Sequence, residues 1–145
     1  MDNPGNFDLG TLAITTAVTG VVITEGTSAQ GVAIEYVDRL DGMLAATLEF
    51  NFAYGSSTST PTCIVTVETS VNQGTTWCEV ARILMQDASE ERIVNLSGLT
   101  ALTSPHAPAA LSNDTVKDGI LGDRWRAKVT TTGTYTGNTS INVRL

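Results

Sequence analysis

The stretch MLAATLEFNFAY, residues 43–54, decides the fold class of this chain. Within it, apolar Leu48, Phe50 and Phe52 alternate with polar Thr47, Glu49 and Asn51. A period of two residues puts the apolar side chains on one side of a β-strand and the polar side chains on the other, so one face is buried and the other is exposed to solvent. The stretch therefore predicts a core strand of a sheet that is buried on one side.

The same alternation recurs along the chain, at Cys63–Val67, Trp125–Val129 and Ile141–Leu145. Further short strands are predicted in residues 11–24 (split at Gly20), 32–37, 77–84 and 92–96. No segment has a helical period, and the chain is rich in threonine, whose branched side chain favours sheet. We predict an all-β fold: a two-sheet antiparallel sandwich of about eight strands, of the jelly-roll type.

The positions of the turn-forming residues along the chain indicate one domain. Residues 1–9 are predicted to be a flexible N-terminal arm, and residues 10–145 a single β-sandwich. Prolines, glycines and an Asn-Asp pair leave residues 98–122 as a long loop, with a possible helical turn at 109–111.

Charge and composition exclude several classes of protein. The net charge is −7, which argues against a nucleic-acid partner because phosphate binding needs clustered positive charge. No apolar run approaches the ~20 residues that span a bilayer, and the acidic start Met1–Pro4 is unlike a signal peptide. With only two cysteines, we expect a protein made in a cytosol, with both thiols reduced.

The segment SVNQGTTW, residues 70–77, resembles the Asp-box hairpin of sialidases, S-x-D-x-G-x-T-W, with Asn72 in place of aspartate. Ser70 and Asn72 are expected to bond the turn backbone, and Gly74 to take a positive φ. Trp77 is expected to insert into the core. Because the motif occurs once, we interpret it as a structural hairpin.

No residues point to catalysis. His106, the single histidine, lies among prolines in the long loop, and no nucleophile elbow is present. Cys63 and Cys78 lack a second ligand pair for zinc, and we interpret them as small core residues that lie close together if their strands pair. The acidic group Glu35, Asp38 and Asp41 has no EF-hand spacing. We predict no enzyme activity, and no catalytic, cofactor or metal site.

A basic face is the candidate interface. Arg124, Arg126 and Lys128 share one side of a strand, and Arg144 is expected nearby if the two last strands pair. This face is either the ordinary wet side of an edge hairpin or a contact for an acidic partner, such as another copy of the chain.

Five segments together resemble the small accessory head proteins of tailed bacteriophages and prophages. They are residues 11–17, 41–50, 70–77, 118–126 and 132–140. The resemblance implies a decoration or cement protein on the outer capsid surface of a virion, assembled in the bacterial cytoplasm. Its implied partners are the major capsid protein and further copies of itself. A homotrimer is expected, because shells offer three-fold positions.

Two other classes stay open at this point. A carbohydrate-binding sandwich would need exposed aromatic rings, and both tryptophans are predicted to face the core. A head–tail connector or tail-tube subunit would be expected to carry a helix packed on the sheet, and the sequence predicts none.

Overall fold

The structure, a computed structural model, describes residues 7–23, Tyr36, 43–58 and 60–145. All regular elements in these residues are β-strands. Their bounds are β1 Asp8–Ala13, β2 Val21–Val22, β3 Ala45–Ala53, β4 Ser56–Ser57, β5 Thr62–Ser70, β6 Cys78–Met85, β7 Glu90–Ser97, β8 Thr115–Val116, β9 Arg124–Thr132, β10 Tyr135–Thr136 and β11 Ser140–Arg144.

The strands form two large antiparallel sheets and one small one. The orders are β1-β11-β3-β7, β2-β9-β5-β6-β8 and β10-β4. Without the two-residue strands β4, β8 and β10, the first strand pairs with the last and the second with the next to last. This is the strand order of a jelly roll and confirms the predicted fold.

Alternation along each strand builds the core between the sheets. Leu48, Phe50 and Phe52 of β3 face the other sheet and are at most 1% exposed. From that sheet, Trp125, Ala127 and Val129 of β9 are fully buried, and the remaining buried apolar residues join the same cluster. No helix that could span a membrane occurs in the part of the chain that the structure describes.

The predicted segments match the observed strands apart from the small sheet of β4 and β10, which was not predicted, and three further differences. The N-terminal strand β1 begins at Asp8, so residues 8 and 9 of the predicted arm belong to the sheet, while residues 1–6 lie outside the described residues. The predicted strand 32–37 also lies outside them, apart from Tyr36. The long loop contains β8, and residues 109–111 are not helical.

Candidate functional site

The strand β9 presents Arg124, Arg126 and Lys128 on the outer face of the five-stranded sheet, as predicted. It is not an edge strand, because β2 pairs on one side of it and β5 on the other. Its neighbour β5 places Glu68 directly opposite Arg126. The carboxylate accepts from Arg126 Nε at 2.6 Å and lies 3.2 Å from Lys128 Nζ. Two of the four candidate interface cations, Arg126 and Lys128, therefore already share one carboxylate within the chain.

The Glu68 carboxylate is buried although its strand position faces outward. It is 6% exposed, because the long side chains of Arg126 and Lys128 lie over it. We name Glu68, Arg126 and Lys128 the charged ladder. Its geometry indicates a structural element of the sheet more than a docking surface.

Replacing Glu68 with glutamine tests the charged ladder. The amide keeps the shape but leaves two half-buried cations beside each other without a countercharge, so we expect the free energy of unfolding to fall by about 2 kcal/mol. Urea unfolding measures this. Glu90→Gln is the matched control: its ion pair with Arg92, at 2.7 Å, is more exposed, and we expect a loss under ~0.5 kcal/mol. Equal losses for the two variants would contradict the buried role of Glu68.

Trp77 lies outside the core, which corrects the prediction from the hairpin motif. It lies just before β6, two residues from outward-facing Glu79, and so points to the same side of the sheet. The guanidinium of Arg126 stacks on its ring at 4.1 Å. Tyr36 lies beside it, with ring centroids 6.2 Å apart, and Arg124 covers the ring of Tyr36 at 4.8 Å. The two aromatic rings, which are tilted by 52° to each other, and the two guanidiniums form a continuous cluster on the outer face of the sheet.

The hairpin 70–77 has the hydrogen bonds that its motif predicts. Asn72 Oδ1 accepts from the backbone N–H of Thr76 at 2.7 Å, and Ser70 Oγ accepts from that of Gly74 at 2.8 Å. Gly74 has φ +85°, and Gln73 before it also takes a positive φ. The Arg124 guanidinium donates to the Gln73 carbonyl and joins the hairpin to β9. These contacts support the structural interpretation of the motif.

Arg144 is not part of the basic face, so the expectation that it lies near Arg124, Arg126 and Lys128 is wrong. Its strand β11 pairs with β1 and β3 in the four-stranded sheet, whereas β9 belongs to the other sheet. The chain crosses between the sheets through β10, which pairs with β4. Arg144 Nε lies 4.0 Å from Asp8 Oδ2.

The cysteines are also apart. Their strands are hairpin partners, but Cys63 is opposite Met85 and Cys78 is opposite Thr69, at the two ends of the hairpin. At ~3.4 Å per residue these ends are about 20 Å apart. Burial raises the pKa of the Cys63 thiol to about 12, and burial together with the nearby Glu68 charge raises that of Cys78. Both thiols are protonated at neutral pH.

The outer face of the four-stranded sheet is of a different kind. Most of its side chains are short and uncharged, and most are exposed. We name this surface the open face; its exposed members are Thr11, Ala13, Ala45, Thr47, Asn51, Ala53, Glu91, Ile93, Asn95 and Arg144.

Hydrogen bonds within the open face hold it rigid. Thr47 Oγ1 donates to Asn95 Oδ1 at 2.8 Å across β3 and β7. Asn142 Nδ2 donates to Asp8 Oδ1, to the Gly10 carbonyl and to Thr11 Oγ1, and so joins β11 to β1. The sequence contained the alternation that builds this face, but only the sheet order shows that its members are neighbours.

Sites for chemistry are few in the described part of the chain. A cleft of about 490 Å³ lies between the end of β1 and the turn 135–140, and its lining has no carboxylate, histidine, lysine, arginine or cysteine. The described residues contain no group of three His, Cys, Asp or Glu side chains that could hold a metal ion. The acidic group Glu35, Asp38 and Asp41 lies outside them. His106 is half-buried in the long loop.

Comparison with known proteins gives no relative: no protein-family model, no curated protein and no solved structure matches this chain.

Proposed function

We propose that this chain is a structural protein of a tailed-phage virion, a decoration or cement protein that binds the outside of the head and stabilises the shell without catalysis. The observation that supports it best is the open face. The major capsid protein is the proposed partner, and the particle would be assembled in the cytoplasm of a bacterial host. The resemblance in sequence and the jelly-roll fold agree with this role.

The open face suits a broad protein–protein contact. Its threonine, asparagine and alanine side chains offer hydrogen bonds and methyl groups, and among its exposed members only Glu91 and Arg144 carry a charge that docking would have to desolvate. The cross-strand hydrogen bonds of Asn142 and Thr47 already order the surface, so little conformational entropy is lost on binding. A net charge of −7 favours the outside of a shell that is filled with DNA.

Cryo-electron microscopy of the phage particles that assemble in cells making this chain tests the proposal. We expect density at repeated positions on the outer surface of the shell. Density at a single vertex would favour the head–tail connector or tail-tube alternative, and a particle without this chain would overturn the virion role.

Charge on the open face should weaken binding to the particle. In Ala53→Glu a carboxylate would be buried in the contact without a partner, and we expect at least a tenfold loss of affinity for particles lacking the chain, measured by co-sedimentation. Ala110→Glu, an identical change at an exposed position of the long loop, is the matched control and should bind as the wild type does. Equal binding by both variants would exclude the open face as the contact.

A carbohydrate-binding module is the second candidate, and the position of Trp77 favours it. The ring lies on the surface beside Tyr36, where sugar-binding aromatics are found. It ranks second because Arg126 already stacks on the tryptophan ring. A glycan array with the wild type and Trp77→Ala decides: a ligand lost in the variant supports this candidate, and no ligand excludes it.

A further inference from the structure

We propose that two copies of this chain pair through β7 across a two-fold axis, which joins their four-stranded sheets into one continuous eight-stranded sheet. The pairing is antiparallel and centred on Ile93. It needs no capsid, so its failure and the failure of the virion role are distinguishable.

The β7 strand is an unusually open sheet edge. Of the four edges of the two large sheets, β2 and β8 have two residues each, and β1 has a bulge between Asp8 and Gly10. Short and bulged edges resist pairing with another chain. In contrast, β7 has eight residues in unbroken register with β3 and contains neither proline nor glycine. Among the described residues, no other strand pairs with its free side.

Hydrogen bonds at the end of β7 show which backbone groups point away from β3. The N–H of Gly98 donates to the Leu44 carbonyl at 2.8 Å, so this position faces β3. The preceding Ser97 faces the other way: its N–H donates to Asp118 Oδ1 at 2.7 Å, and its carbonyl accepts from Gly119 N at 2.8 Å. Antiparallel pairing alternates these directions along a strand.

By this alternation, Glu91, Ile93 and Asn95 direct their N–H and C=O groups to the free side of β7. Residues 118 and 119 bond this side of β7 at Ser97, and in the described part of the chain no strand continues that pairing along Glu91, Ile93 and Asn95. Ile93 is also 61% exposed on the outer face, where Glu49 of β3 is its neighbour. The edge therefore offers six backbone groups and one large apolar side chain to a partner.

A second copy satisfies all six groups in one register. When Ile93 is opposite Ile93 of the second copy, Glu91 is opposite Asn95 of the second copy, and the reverse pair follows by symmetry. Each of these three pairs exchanges two backbone hydrogen bonds. The register covers both exposed isoleucines and brings no like charges directly opposite each other.

The two neighbouring registers fit less well. One puts Arg92 directly opposite Arg92 of the second copy. The other pairs Glu91 with Ser97, whose N–H and C=O are already bonded to Asp118 and Gly119. In the Ile93-centred register, Arg92 is opposite Val94, and its charge is neutralised by Glu90 of its own chain at 2.7 Å.

Disulfide cross-linking tests the register. Residues of a hydrogen-bonded antiparallel pair have Cα atoms ~5.5 Å apart, within the range of a disulfide. In a Cys78→Ser background, we expect Ile93→Cys to form a covalent dimer under mild oxidation. Glu91→Cys is the matched control, since its two copies are four residues out of register, ~13 Å apart, and it should stay monomeric on a denaturing gel. Equal cross-linking at both positions, or none at Ile93→Cys, overturns the proposal.

Sedimentation equilibrium tests the association itself. We expect the wild-type mass to rise from 15.2 kDa towards twice that value with concentration. Ile93→Pro removes an N–H that faces away from β3, so the fold is kept while the pairing is lost, and this variant should stay monomeric with an unchanged circular dichroism spectrum. A wild type that is monomeric to ~200 µM, a trimer as the shell symmetry suggested, or a folded Ile93→Pro dimer each overturns the proposal.

Discussion

Replacing Gly122 with alanine is expected to lower the free energy of unfolding by about 4 kcal/mol. The added methyl group would overlap the Ser70 carbonyl at the end of β5, which is backbone and cannot rotate away. Separating these segments also breaks the bonds from Gly122 N to Thr69 Oγ1 and from Trp125 Nε1 to the Gly122 carbonyl, each 2.9 Å long. Overpacking typically costs ~1–3 kcal/mol, and each lost hydrogen bond ~1 kcal/mol more.

Gly98→Ala is the matched control for this effect. Its added methyl group would meet the end of the flexible Leu121 side chain at 3.0 Å and the Leu44 carbonyl at 3.2 Å. A small rotation of the leucine relieves the closer contact, so we expect a loss under ~1 kcal/mol. Urea unfolding of both variants measures the difference. Similar losses at the two positions would contradict the close approach of residue 122 to β5.

The faces of single strands were predictable from sequence, because burial on one side of a strand is a local pattern. Alternation at Leu48–Phe52 and Trp125–Val129 predicted which side chains are buried, and the structure confirms both sets. The turn chemistry of residues 70–77 was equally local, since Ser70 and Asn72 bond backbone groups at most four residues away.

Relations between strands distant in the chain were not predictable in this way. Arg144 follows Arg126 closely in sequence, but the chain changes sheets between them, and no local pattern records that crossing. Alternation along β5 predicts that Glu68 is exposed to solvent. Only the pairing of β5 with β9 shows that the side chains of two cations bury it. Trp77 is a large apolar residue of the kind usually found in a core. It lies two residues before outward-facing Glu79, and alternation along the chain therefore puts it on the same, outer side.

The two surfaces that support the proposals depend on the same non-local order. The open face exists because β1, β11, β3 and β7 are neighbours, and the free edge exists because β7 comes last. The threonines, the asparagines and Ile93 can be read from the sequence. That they lie together on one surface of a sheet cannot. The basic face, which the sequence did suggest, is largely occupied by the charged ladder.

Alkaline pH is expected to destabilise this protein by about 4 kcal/mol between pH 8 and pH 11. Burial raises the pKa of Cys63 from 9.0 to about 12. It also raises that of Tyr135 from 10.0, with the Cys63 charge adding to the effect. The Tyr135 hydroxyl also donates to the Gln86 carbonyl at 2.9 Å, a bond that ionisation would break. Both groups therefore keep their protons in the folded chain at a pH where the unfolded chain has lost them.

The sign of the effect follows from these proton counts. Because the unfolded chain binds fewer protons above pH 9, the contribution of these two groups to stability is constant below that pH and is lost as pH rises towards 12. Each group contributes ~1.4 kcal/mol per pH unit above its unfolded pKa, so Cys63 acts from pH 9 and Tyr135 from pH 10. Urea unfolding at several pH values measures the slope. Cys63→Ala should remove the part that begins at pH 9, and Tyr135→Phe the part that begins at pH 10. A slope that neither variant changes would show that other groups cause the alkaline loss.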